Sequence, residues 1–390
     1  MRIAFFTDVY RPTINGVVTS IDSYVEELRK LGHEVTIICP KYDDEQHNEE
    51  EGVVRIKSFT FKRYDEYRIA LPFSLALESH MRNTVYDVIH VHSPFSIGLA
   101  GVVYGHRYKV PVIYTAHTNY SDYRHYVRGG WVIPEGAVHK AVSIFTNRLS
   151  ATIAPSQKIA KLLQDYGTYR RVVVLPTGVK ESRLLGSRSA FKQKYQLGRH
   201  KVALYLGRIT KEKRIEFLIT AFATAKKRGL ENTKLVLVGG GPHADTLKDL
   251  ARELGVIGDI VFTGFLSGQD LANAYAAADI FCHASLSETQ GMTLLEASAY
   301  GVPLLICRDG AYDGVARNGY NACVVNGGEL AYANRLVDLL SNSSREKLQS
   351  MGCNGRSIAQ ELTMPRQAEK LVQLYEEVIC EHRTKVTHEK

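Results

Sequence analysis

The chain has 390 residues and a formal net charge of +8, and its length exceeds the usual size of one hydrophobic core, so two domains are expected. An apolar content of 45% with a charged content of 23% excludes an intrinsically disordered protein. The basic balance fits an anionic membrane, a nucleic acid or no particular partner.

The N-terminal residues and the cysteines bear on the cellular compartment. Asp8 places a carboxylate too early for the apolar core of a signal peptide, and no apolar run approaches the ~20 residues that span a bilayer. The cysteines have neither close pairing nor metal-ligand spacing, which predicts reduced and mostly buried thiols. A cytoplasmic protein is therefore expected.

The first half alternates short apolar, β-branched runs with segments of helical periodicity, which predicts a parallel sheet wrapped by helices. Its predicted strands are Ile3 to Phe6, Val35 to Cys39, Val53 to Ile56, Val88 to Val91, Val112 to Tyr114, Thr152 to Ala154 and Val172 to Leu175. Between the first two strands, an amphipathic helix is predicted by the spacing of Val17, Ile21, Val25 and Leu28, with Gly32 after its end.

The same pattern restarts after residue 200, which predicts a second doubly wound α/β domain. Its predicted strands are Val202 to Leu206, Leu235 to Val238, Ile260 to Phe262, Ile280 to Cys282, Leu304 to Cys307 and Ala322 to Val325. Thr177 to His200 is rich in cations and has little apolar periodicity before Phe191, so a linker is expected there. The expected segments are a domain of residues 1–178, a linker of 179–200, a domain of 201–362, and a closing helix with its tail at 363–390.

Open parallel sheets bind ligands beyond the carboxyl ends of their strands. If the two domains face each other, these ends form opposite walls of one cleft, and the functional residues are expected there. In the second half these ends carry, in chain order, Gly207-Arg208 with Lys213, Gly239 to Pro242, Thr263 to Phe265, and a corner from Ser285 to Glu296.

Arg208 and Lys213 precede a helix whose apolar positions begin at Ile215. Two cations beside a helix N-terminus oppose the helix dipole unless an anion binds near them. A diphosphate would supply that anion. The alternative is a pair of surface charges matched by Glu212 or Glu216.

The corner contains Glu288 and Glu296, which are eight residues apart. A glycine-containing turn that opens a helix presents unpaired backbone N–H groups, which bind an anion such as a diphosphate. Glu288 is expected in the loop and Glu296 inside the helix. Because their spacing does not place them on one helical face, two separate ligand contacts are predicted. The alternative is a loop carboxylate and a salt-bridged helix residue.

Two residues of the first half are expected at equivalent strand ends. Gly16 would bring backbone N–H groups to a helix start, and His117 follows the predicted strand Val112 to Tyr114, although a purely structural histidine is the alternative. Neither half contains the dinucleotide-binding glycine pattern, so a dehydrogenase is not expected. The sequence has no D-x-D motif, so a metal-bridged diphosphate is not predicted.

The ordered set of motifs resembles the retaining family 4 glycosyltransferases of the GT-B fold. It comprises Gly207-Arg208 with Lys213, Gly-Gly-Pro, Phe-Thr-Gly-Phe and Glu-x7-Glu, with Gly16 and His117 in the other half. The resemblance covers nearly the whole chain. It implies two Rossmann-like domains facing across a cleft, a UDP-sugar as donor substrate and no obligatory metal, so a divalent cation would be non-essential.

The resemblance also implies a role for each matching residue. Arg208 and Lys213 look like the clamp for the donor diphosphate, and Glu288 looks like the ligand of the sugar hydroxyls. Glu296 is similar to the ribose ligand, and His117 to the residue that faces the transferred sugar. The other implied donor contacts are Gly16, Gly240, Phe265, Leu266, Thr289, Gln290, Gly291, Met292 and Thr293. The candidates for catalysis are His117, Arg208, Lys213 and Glu288, with no protein general base, because same-face attack is usual in this family.

A narrower resemblance is to the bacterial α-monoglucosyldiacylglycerol synthases, which transfer glucose from UDP-glucose to diacylglycerol at the membrane. It is carried by Pro12 to Ser20, His117 to Tyr126 and Ser287 to Gly291. Residues 104–171 hold ten Lys and Arg against three acidic residues, which suits an anionic leaflet. The relevant side chains include Arg124, Arg128, Trp131, Lys140 and Arg148.

The expected function is therefore hexose transfer to 1,2-diacylglycerol by a peripheral enzyme on the inner face of the cell membrane, without a nucleic-acid partner. One departure lies in residues 61–82, where such enzymes often carry a strongly basic helix and this chain mixes four cations with three acidic residues. The acceptor could instead be phosphatidylinositol, a soluble sugar or a protein-linked glycan. The donor could carry another hexose, or GDP in place of UDP. A non-catalytic sugar-nucleotide-binding protein is the alternative of another class, and the oligomeric state stays open.

Overall fold

The computed structural model describes residues 1–13, 15–42, 50–60, 68–119, 134–180 and 185–388. The chain forms two compact units. The first unit comprises Met1–Thr177 and Met364–Lys390, and the second comprises Gly178–Thr363. The chain therefore begins and ends in the same unit.

The first unit is a parallel sheet with helices on both faces. Its strands are β1 (Arg2–Phe6), β2 (Glu34–Pro40), β3 (Val53–Ile56), β4 (Ser58–Thr60), β5 (Arg68–Ala70), β6 (Val88–Val91), β7 (Val112–Thr115), β8 (Ala151–Ala154) and β9 (Val172–Val174). Its helices are α1 (Gly16–Lys30), α2 (Leu75–Asn83), α3 (Ser96–Tyr108), α4 (Glu135–Thr146), α5 (Gln157–Asp165) and, at the end of the chain, α13 (Met364–His388). In the described residues, seven strands pair in the order β3-β2-β1-β6-β7-β8-β9, and all seven strands predicted in the first half are confirmed.

Two separate hydrophobic clusters cover the faces of this sheet, one of them including α1 and α13. The helix predicted between the first two strands is confirmed as α1. It begins at Asn15, whose side chain accepts from the backbone N–H groups of Val17 and Val18, and Gly32 lies just beyond its end with φ +82°. Strands β4 and β5 form a separate antiparallel pair, which the sequence pattern did not predict.

The second unit repeats this architecture. Its strands are β10 (Lys201–Leu206), β11 (Thr233–Val238), β12 (Ile260–Gly264), β13 (Ile280–His283), β14 (Leu304–Cys307) and β15 (Ala322–Val325). Its α-helices are α6 (Arg188–Lys194), α7 (Ile215–Lys227), α8 (Ala244–Glu253), α9 (Gly268–Ala277), α10 (Met292–Ala299), α11 (Glu329–Val337) and α12 (Arg345–Glu361). Among the described residues, six strands pair in parallel in the order β12-β11-β10-β13-β14-β15, and the six predicted strands are confirmed.

The segment predicted as a linker, residues 179–200, lies in the second unit. Its described part after residue 184 contains helix α6, in contact with α9. Phe191 and Leu197 are each 1% exposed in the core of this unit. Two large apolar side chains among many cations are enough to anchor a short helix, although they produce little periodicity in the sequence.

Each sheet has a switch point at which its strand order reverses direction along the chain. In the first unit it lies between β1 and β6, and in the second between β10 and β13. Open α/β sheets bind ligands beyond the carboxyl ends of the strands at such points. The loops that follow these four strands are therefore the places to look for a functional site in each unit.

Candidate active site

The loop after β10 passes so close to the loop after β11 that glycine is required. Gly239 has φ +138°, and a Cβ there would lie 1.9 Å from the carbonyl oxygen of Gly207. A Cβ on Gly241 would lie 2.2 Å from the carbonyl oxygen of Ile209. At Gly240, by contrast, a Cβ would meet no atom of the described residues within 4 Å, so packing among them does not explain a glycine at this predicted donor contact.

Lys213 and Glu288, predicted as separate site residues, meet at the switch point of the second sheet. Lys213 lies between β10 and α7, and its Nζ atom is 2.5 Å from Oε1 of Glu288 in the loop after β13. The Nε2 atom of His283, the last residue of β13, is 3.4 Å from the same oxygen. The sequence analysis missed His283, although its position at a strand end just before the corner was a usable signal.

Glu288 is ionised in this setting. Burial by itself raises the pKa of a carboxyl group, but the charge of Lys213 and the contact with His283 outweigh it, so the pKa of Glu288 lies well below its usual range. The side chains of Lys213 and Glu288 are only 14% and 18% exposed. The pair therefore offers a fixed cation and a fixed carboxylate at one strand edge, which can bind an anionic group and a hydroxyl group respectively.

The loop that carries Glu288 is held by Tyr312. The Tyr312 hydroxyl donates to the carbonyl oxygen of Ser285 at 2.9 Å. Gly291, immediately before α10, has φ +77°, and a Cβ there would lie 2.8 Å from Cδ1 of Tyr312. The predicted corner is confirmed as a loop that holds Glu288 and a helix, α10, that holds Glu296.

Glu296 is half-buried, and its carboxylate is oriented by a tyrosine of the neighbouring helix. The Tyr275 hydroxyl of α9 donates to Oε2 of Glu296 at 2.7 Å. Tyr275 is 1% exposed, and its ring stacks on Tyr300 with the ring centroids 5.1 Å apart. The phenol therefore has little freedom to move away from the carboxylate. Sequence reasoning missed Tyr275 because the contact joins two different helices.

Arg208 is more exposed than Lys213. Its Nη2 atom is 4.0 Å from Oε1 of Glu212, and 47% of its side chain is exposed. Phe265 follows β12 with 61% exposure, and Leu266 beside it is half-buried. The remaining predicted donor contacts of this unit lie at the start of α10, namely Thr289, Gln290, Gly291, Met292 and Thr293.

At the switch point of the first sheet, Asp8 joins the end of β1 to the start of α3. Its Oδ1 accepts from the Ser96 hydroxyl at 2.7 Å and from the Ile97 backbone N–H at 2.8 Å, while its Oδ2 accepts from the Ser93 hydroxyl at 2.7 Å. Asp8 is 6% exposed. The carboxylate thus serves as a cap for the positive end of α3. Sequence reasoning noted Asp8 only as a charge near the N-terminus.

His117 lies beyond β7, as predicted, and contacts a second histidine. Its Nε2 atom is 3.0 Å from Nδ1 of His92, which follows β6. The ring of His92 stacks on His90, and the two nitrogens of His90 contact the Tyr375 hydroxyl at 2.6 Å and the Thr115 hydroxyl at 2.7 Å. Burial lowers the pKa of His90 to about 3 and that of His117 to about 4. These rings are therefore neutral at physiological pH.

The other predicted features of the first unit are partly within the described residues. Gly16 begins α1 and is exposed, and a Cβ there would meet no described atom within 4 Å. Lys140 and Arg148 are exposed at α4 and just beyond it. Arg124, Arg128, Trp131 and most of the motif His117 to Tyr126 lie outside the described residues. Among the residues that the structure describes, no helix combines the length and the apolar character needed to cross a membrane.

The sequence matches known glycosyltransferase families over both units. The family described as "Glycosyltransferase Family 4" matches residues 14–183, and "Glycosyl transferases group 1" matches residues 187–358. Relatives more than 30% identical over most of their length belong to the same class. The chain belongs to the family 4 glycosyltransferases, and the prediction of a hexosyltransferase is confirmed.

Two relatives bear the same name. The chain is 38% identical over 315 residues to an α-monoglucosyldiacylglycerol synthase of Streptococcus pneumoniae, covering 78% of this chain and 70% of the relative. It is 32% identical over 343 residues to the α-monoglucosyldiacylglycerol synthase of Acholeplasma laidlawii, covering 84% and 86%. A GDP-mannose-dependent α-mannosyltransferase of Corynebacterium glutamicum is 29% identical, covering 84% of this chain and 77% of the relative.

Solved structures show the same fold at low sequence identity. HepE of Anabaena, in complex with UDP and glucose, has a TM-score of 0.78 and 18% identity, covering 97% of this chain and all of that one. Sucrose-phosphate synthase of Thermosynechococcus elongatus has a TM-score of 0.80 and 19% identity, covering 97% and 99%. The predicted GT-B class, with two Rossmann-like domains, is confirmed.

Proposed function

We propose that the protein is a retaining glucosyltransferase that transfers glucose from UDP-glucose to 1,2-diacylglycerol at a membrane surface. The observation that carries this proposal is the pairing of Lys213 with an ionised Glu288 at the switch point of the second sheet. A sugar nucleotide needs a cation for its diphosphate and an acceptor for its sugar hydroxyls. The two relatives named α-monoglucosyldiacylglycerol synthase support the choice of glucose and diacylglycerol.

In this proposal Arg208 and Lys213 stabilise the charge that develops on the leaving diphosphate. Glu288 binds hydroxyl groups of the transferred sugar, and Glu296, oriented by Tyr275, binds the ribose. His117 contributes from the first unit by contacting the transferred sugar. No atom of the described residues lies within 4 Å of the position a Cβ of Gly240 would take, which supports close approach of a ligand to its backbone.

The same open space is found at Gly16, where we propose a backbone contact with the donor. Phe265 and Leu266 are proposed to contact the base, and residues 289–293 at the start of α10 to contact the sugar and the phosphates. Retention requires attack from the face that the leaving group occupies, so we propose that the departing phosphate takes the proton of the acceptor hydroxyl. This chain then needs no side chain as a general base.

An exposed apolar surface on the first unit supports a lipid acceptor. Phe59 and Ile69 are cross-strand partners in the β4–β5 pair and are 56% and 53% exposed. Every second residue from Leu71 to Leu75 is also apolar and exposed, namely Leu71 at 44%, Phe73 at 63% and Leu75 at 89%. Apolar side chains clustered on a surface in this way favour contact with a membrane or another apolar partner.

A row of exposed apolar side chains along helix α3 extends this surface. Phe95, directly before α3, and Leu99 and Val103 within α3 follow one another at intervals of four residues and are 51%, 48% and 45% exposed. The Phe73 ring lies 6.4 Å from the ring of Tyr104, centroid to centroid, which places α3 beside the apolar surface formed by Phe59, Ile69, Leu71, Phe73 and Leu75. We propose that the combined surface docks on the acyl region of a leaflet.

The direct test is transfer from UDP-glucose to 1,2-diacylglycerol in vesicles that contain an anionic phospholipid. We expect release of UDP and formation of an α-linked glucolipid, with the anomer identified by NMR. A side-by-side assay replaces the donor with GDP-mannose and the acceptor with phosphatidylinositol or a soluble sugar. Turnover confined to one of these replacements would refute the donor or acceptor assigned here, and UDP binding with no turnover would favour a non-catalytic protein.

Membrane docking is tested separately by co-sedimentation with the same vesicles. Replacing Phe73 and Leu75 by serine is expected to lower the bound fraction at least about fivefold, since each apolar side chain withdrawn from water contributes about 1.5–3 kcal/mol. Leu185→Ser is the matched control, because Leu185 is 83% exposed but lies in the second unit. Equal binding of the double variant and the control would remove Phe73 and Leu75 from the docking surface.

A further inference from the structure

In the histidine pair of the first unit, the Nε2 atom of His92 is buried and meets no polar partner among the described residues. Nδ1 of His92 and Nε2 of His117 are 3.0 Å apart, so one of them donates and the other accepts. His92 is 2% exposed, and its Nε2 atom is buried without a hydrogen-bond partner among the described residues. Both rings have a pKa lowered by burial, so the hydrogen bond joins two neutral imidazoles.

A neutral imidazole carries one proton, which leaves two arrangements. If His117 donates from Nε2, the proton of His92 must be on its own Nε2, where it would be a buried donor without an acceptor. If His92 donates from Nδ1, its Nε2 is an unprotonated acceptor, and the proton of His117 is on Nδ1. Buried N–H groups without an acceptor are rarer than buried acceptors without a donor, so the second arrangement is favoured.

The surroundings of His92 keep its ring in place. Its ring centroid is 4.2 Å from that of His90 and 4.5 Å from that of Phe5. His90 is itself fixed by hydrogen bonds at both nitrogens, one with the Tyr375 hydroxyl and one with the Thr115 hydroxyl. A ring packed on two sides in this way cannot readily rotate to exchange the positions of its nitrogens.

We infer that His92 is a positioning residue that holds His117 in the tautomer protonated at Nδ1, so that His117 meets its ligand as a hydrogen-bond donor. The ligand group at that nitrogen is then an oxygen acceptor, such as a sugar hydroxyl or a phosphoryl oxygen. The inference rests on the proposed role of His117 in binding the donor. It adds that His117 donates this hydrogen bond to the ligand, and that the buried residue His92 determines this direction.

The tautomer can be measured without any assay of activity. Nitrogen-15 NMR of the full-length protein with labelled histidine distinguishes a protonated from an unprotonated ring nitrogen, and a His117→Gln variant assigns the signal. We expect His117 to be protonated at Nδ1 in the wild-type protein and to become a mixture of tautomers in His92→Leu. His92→Asn should retain the wild-type tautomer, because the asparagine amide places a donor close to the position of the imidazole Nδ1.

His106 provides an internal control in the same spectra. Its Nδ1 atom is 2.8 Å from the Val102 carbonyl oxygen, which can only accept, so its tautomer should be the same in every variant. In steady-state assays, His92→Leu is expected to lower kcat/KM about tenfold, and His92→Asn to restore most of the loss. A general packing defect would affect both variants and would leave the tautomer of His117 unchanged.

Two results would overturn the inference. One is a wild-type His117 protonated at Nε2, and the other is an unchanged His117 tautomer in His92→Leu. The proposed function fails by a different result, namely a His117→Gln variant that transfers sugar at the wild-type rate. That result would remove His117 from the site and leave the measured tautomer as it stands.

Discussion

The two sheets have the same kind of switch point but differ in the charge at their strand ends. In the second unit, Lys213 and Glu288 form a nearly buried pair in which the carboxyl group is ionised. In the first unit, the histidines beyond β6 and β7 are neutral because burial lowers their pKa, and the carboxylate of Asp8 is engaged by the start of α3. One topology thus supports a charged edge and a second edge, called the neutral edge below, whose histidines are neutral and whose carboxylate, Asp8, is bound by α3.

This difference indicates how a repeated fold acquires two tasks. A charged edge suits an anionic group whose charge increases during a reaction. A neutral edge made of histidine and serine side chains suits hydroxyl groups, because these are bound by hydrogen bonds of defined direction more than by charge. The variants below test whether the two edges differ in this way.

The largest effect is expected from Lys213→Met, which removes the cation of the charged edge. We expect kcat/KM for the donor to fall about 10²–10³-fold, because the group proposed to stabilise the leaving charge is lost. The measurement is steady-state release of nucleotide. Lys211→Met is the control, since Lys211 lies two residues away on the same short turn and is exposed. Similar rates in both variants would refute the assignment of Lys213.

Asp8→Ala tests whether the carboxylate of the neutral edge has a structural role. We expect a loss of about 2–3 kcal/mol in the free energy of unfolding, because buried donors at the start of α3 lose their acceptor. Chemical denaturation measures it, and Asp165→Ala, at the exposed end of α5, is the control. If Asp8→Ala were as stable as the control, Asp8 would have to be reconsidered as a ligand-binding residue.

The two edges should also respond differently to acid. The pKa of His90 and of His117 is lowered from 6.5 to about 3 and about 4, so the unfolded chain binds protons before the folded chain does. The first unit therefore loses stability as the pH falls from about 6.5 to 4, by up to about 1.4 kcal/mol per pH unit for each histidine. Because the pKa of Glu288 is depressed in the folded protein, this carboxylate contributes stability above its ordinary pKa of 4.5, and that contribution is lost only as the pH falls below this value.

Hydrogen exchange of backbone amides, corrected for intrinsic rates, can resolve the two units. Amides of β6 and β7 are expected to lose protection between pH 6.5 and about 4.5, while those of β13 keep theirs. His92→Asn removes one titrating ring and should make the loss in β6 and β7 less steep. Parallel loss of protection in both units would show that the difference in charge has no consequence for stability.

The smallest effect is expected from Tyr275→Phe, which removes one hydrogen bond to Glu296 and keeps the ring stacked on Tyr300. We expect KM for the donor to rise about fivefold with little change in kcat, because one hydrogen bond contributes about 1 kcal/mol. Tyr320→Phe serves as the control, since Tyr320 is 41% exposed. An unchanged KM would mean that Glu296 is held by other contacts or does not bind the donor.

Much of the fold was predictable because its strands are apolar runs buried on both faces. Helix α6 escaped prediction because Phe191 and Leu197 are isolated apolar residues in a cationic segment. The β4–β5 pair escaped it because its outward face, with Phe59 and Ile69, is apolar and exposed rather than polar.

The candidate site was predictable where it follows a strand end in the sequence. Glu288, Lys213 and His117 could be placed in this way, since parallel strands end at a common edge. The residues that orient these side chains could not be predicted from the sequence. Tyr275 lies 21 residues from Glu296 and His92 lies 25 residues from His117, and only the packing of separate elements brings them together.

The return of the chain to its first unit has a consequence for biosynthesis. Residues 178–363 are contiguous, so the whole second unit can fold before α13 has been synthesised. The first unit must wait for α13, which supplies Leu371 and Tyr375 to its core. Until Tyr375 emerges from the ribosome, His90 lacks one of its two hydrogen-bond partners. A nascent chain that stalls before Tyr375 emerges would therefore carry one finished unit and one whose histidine cluster is still incomplete.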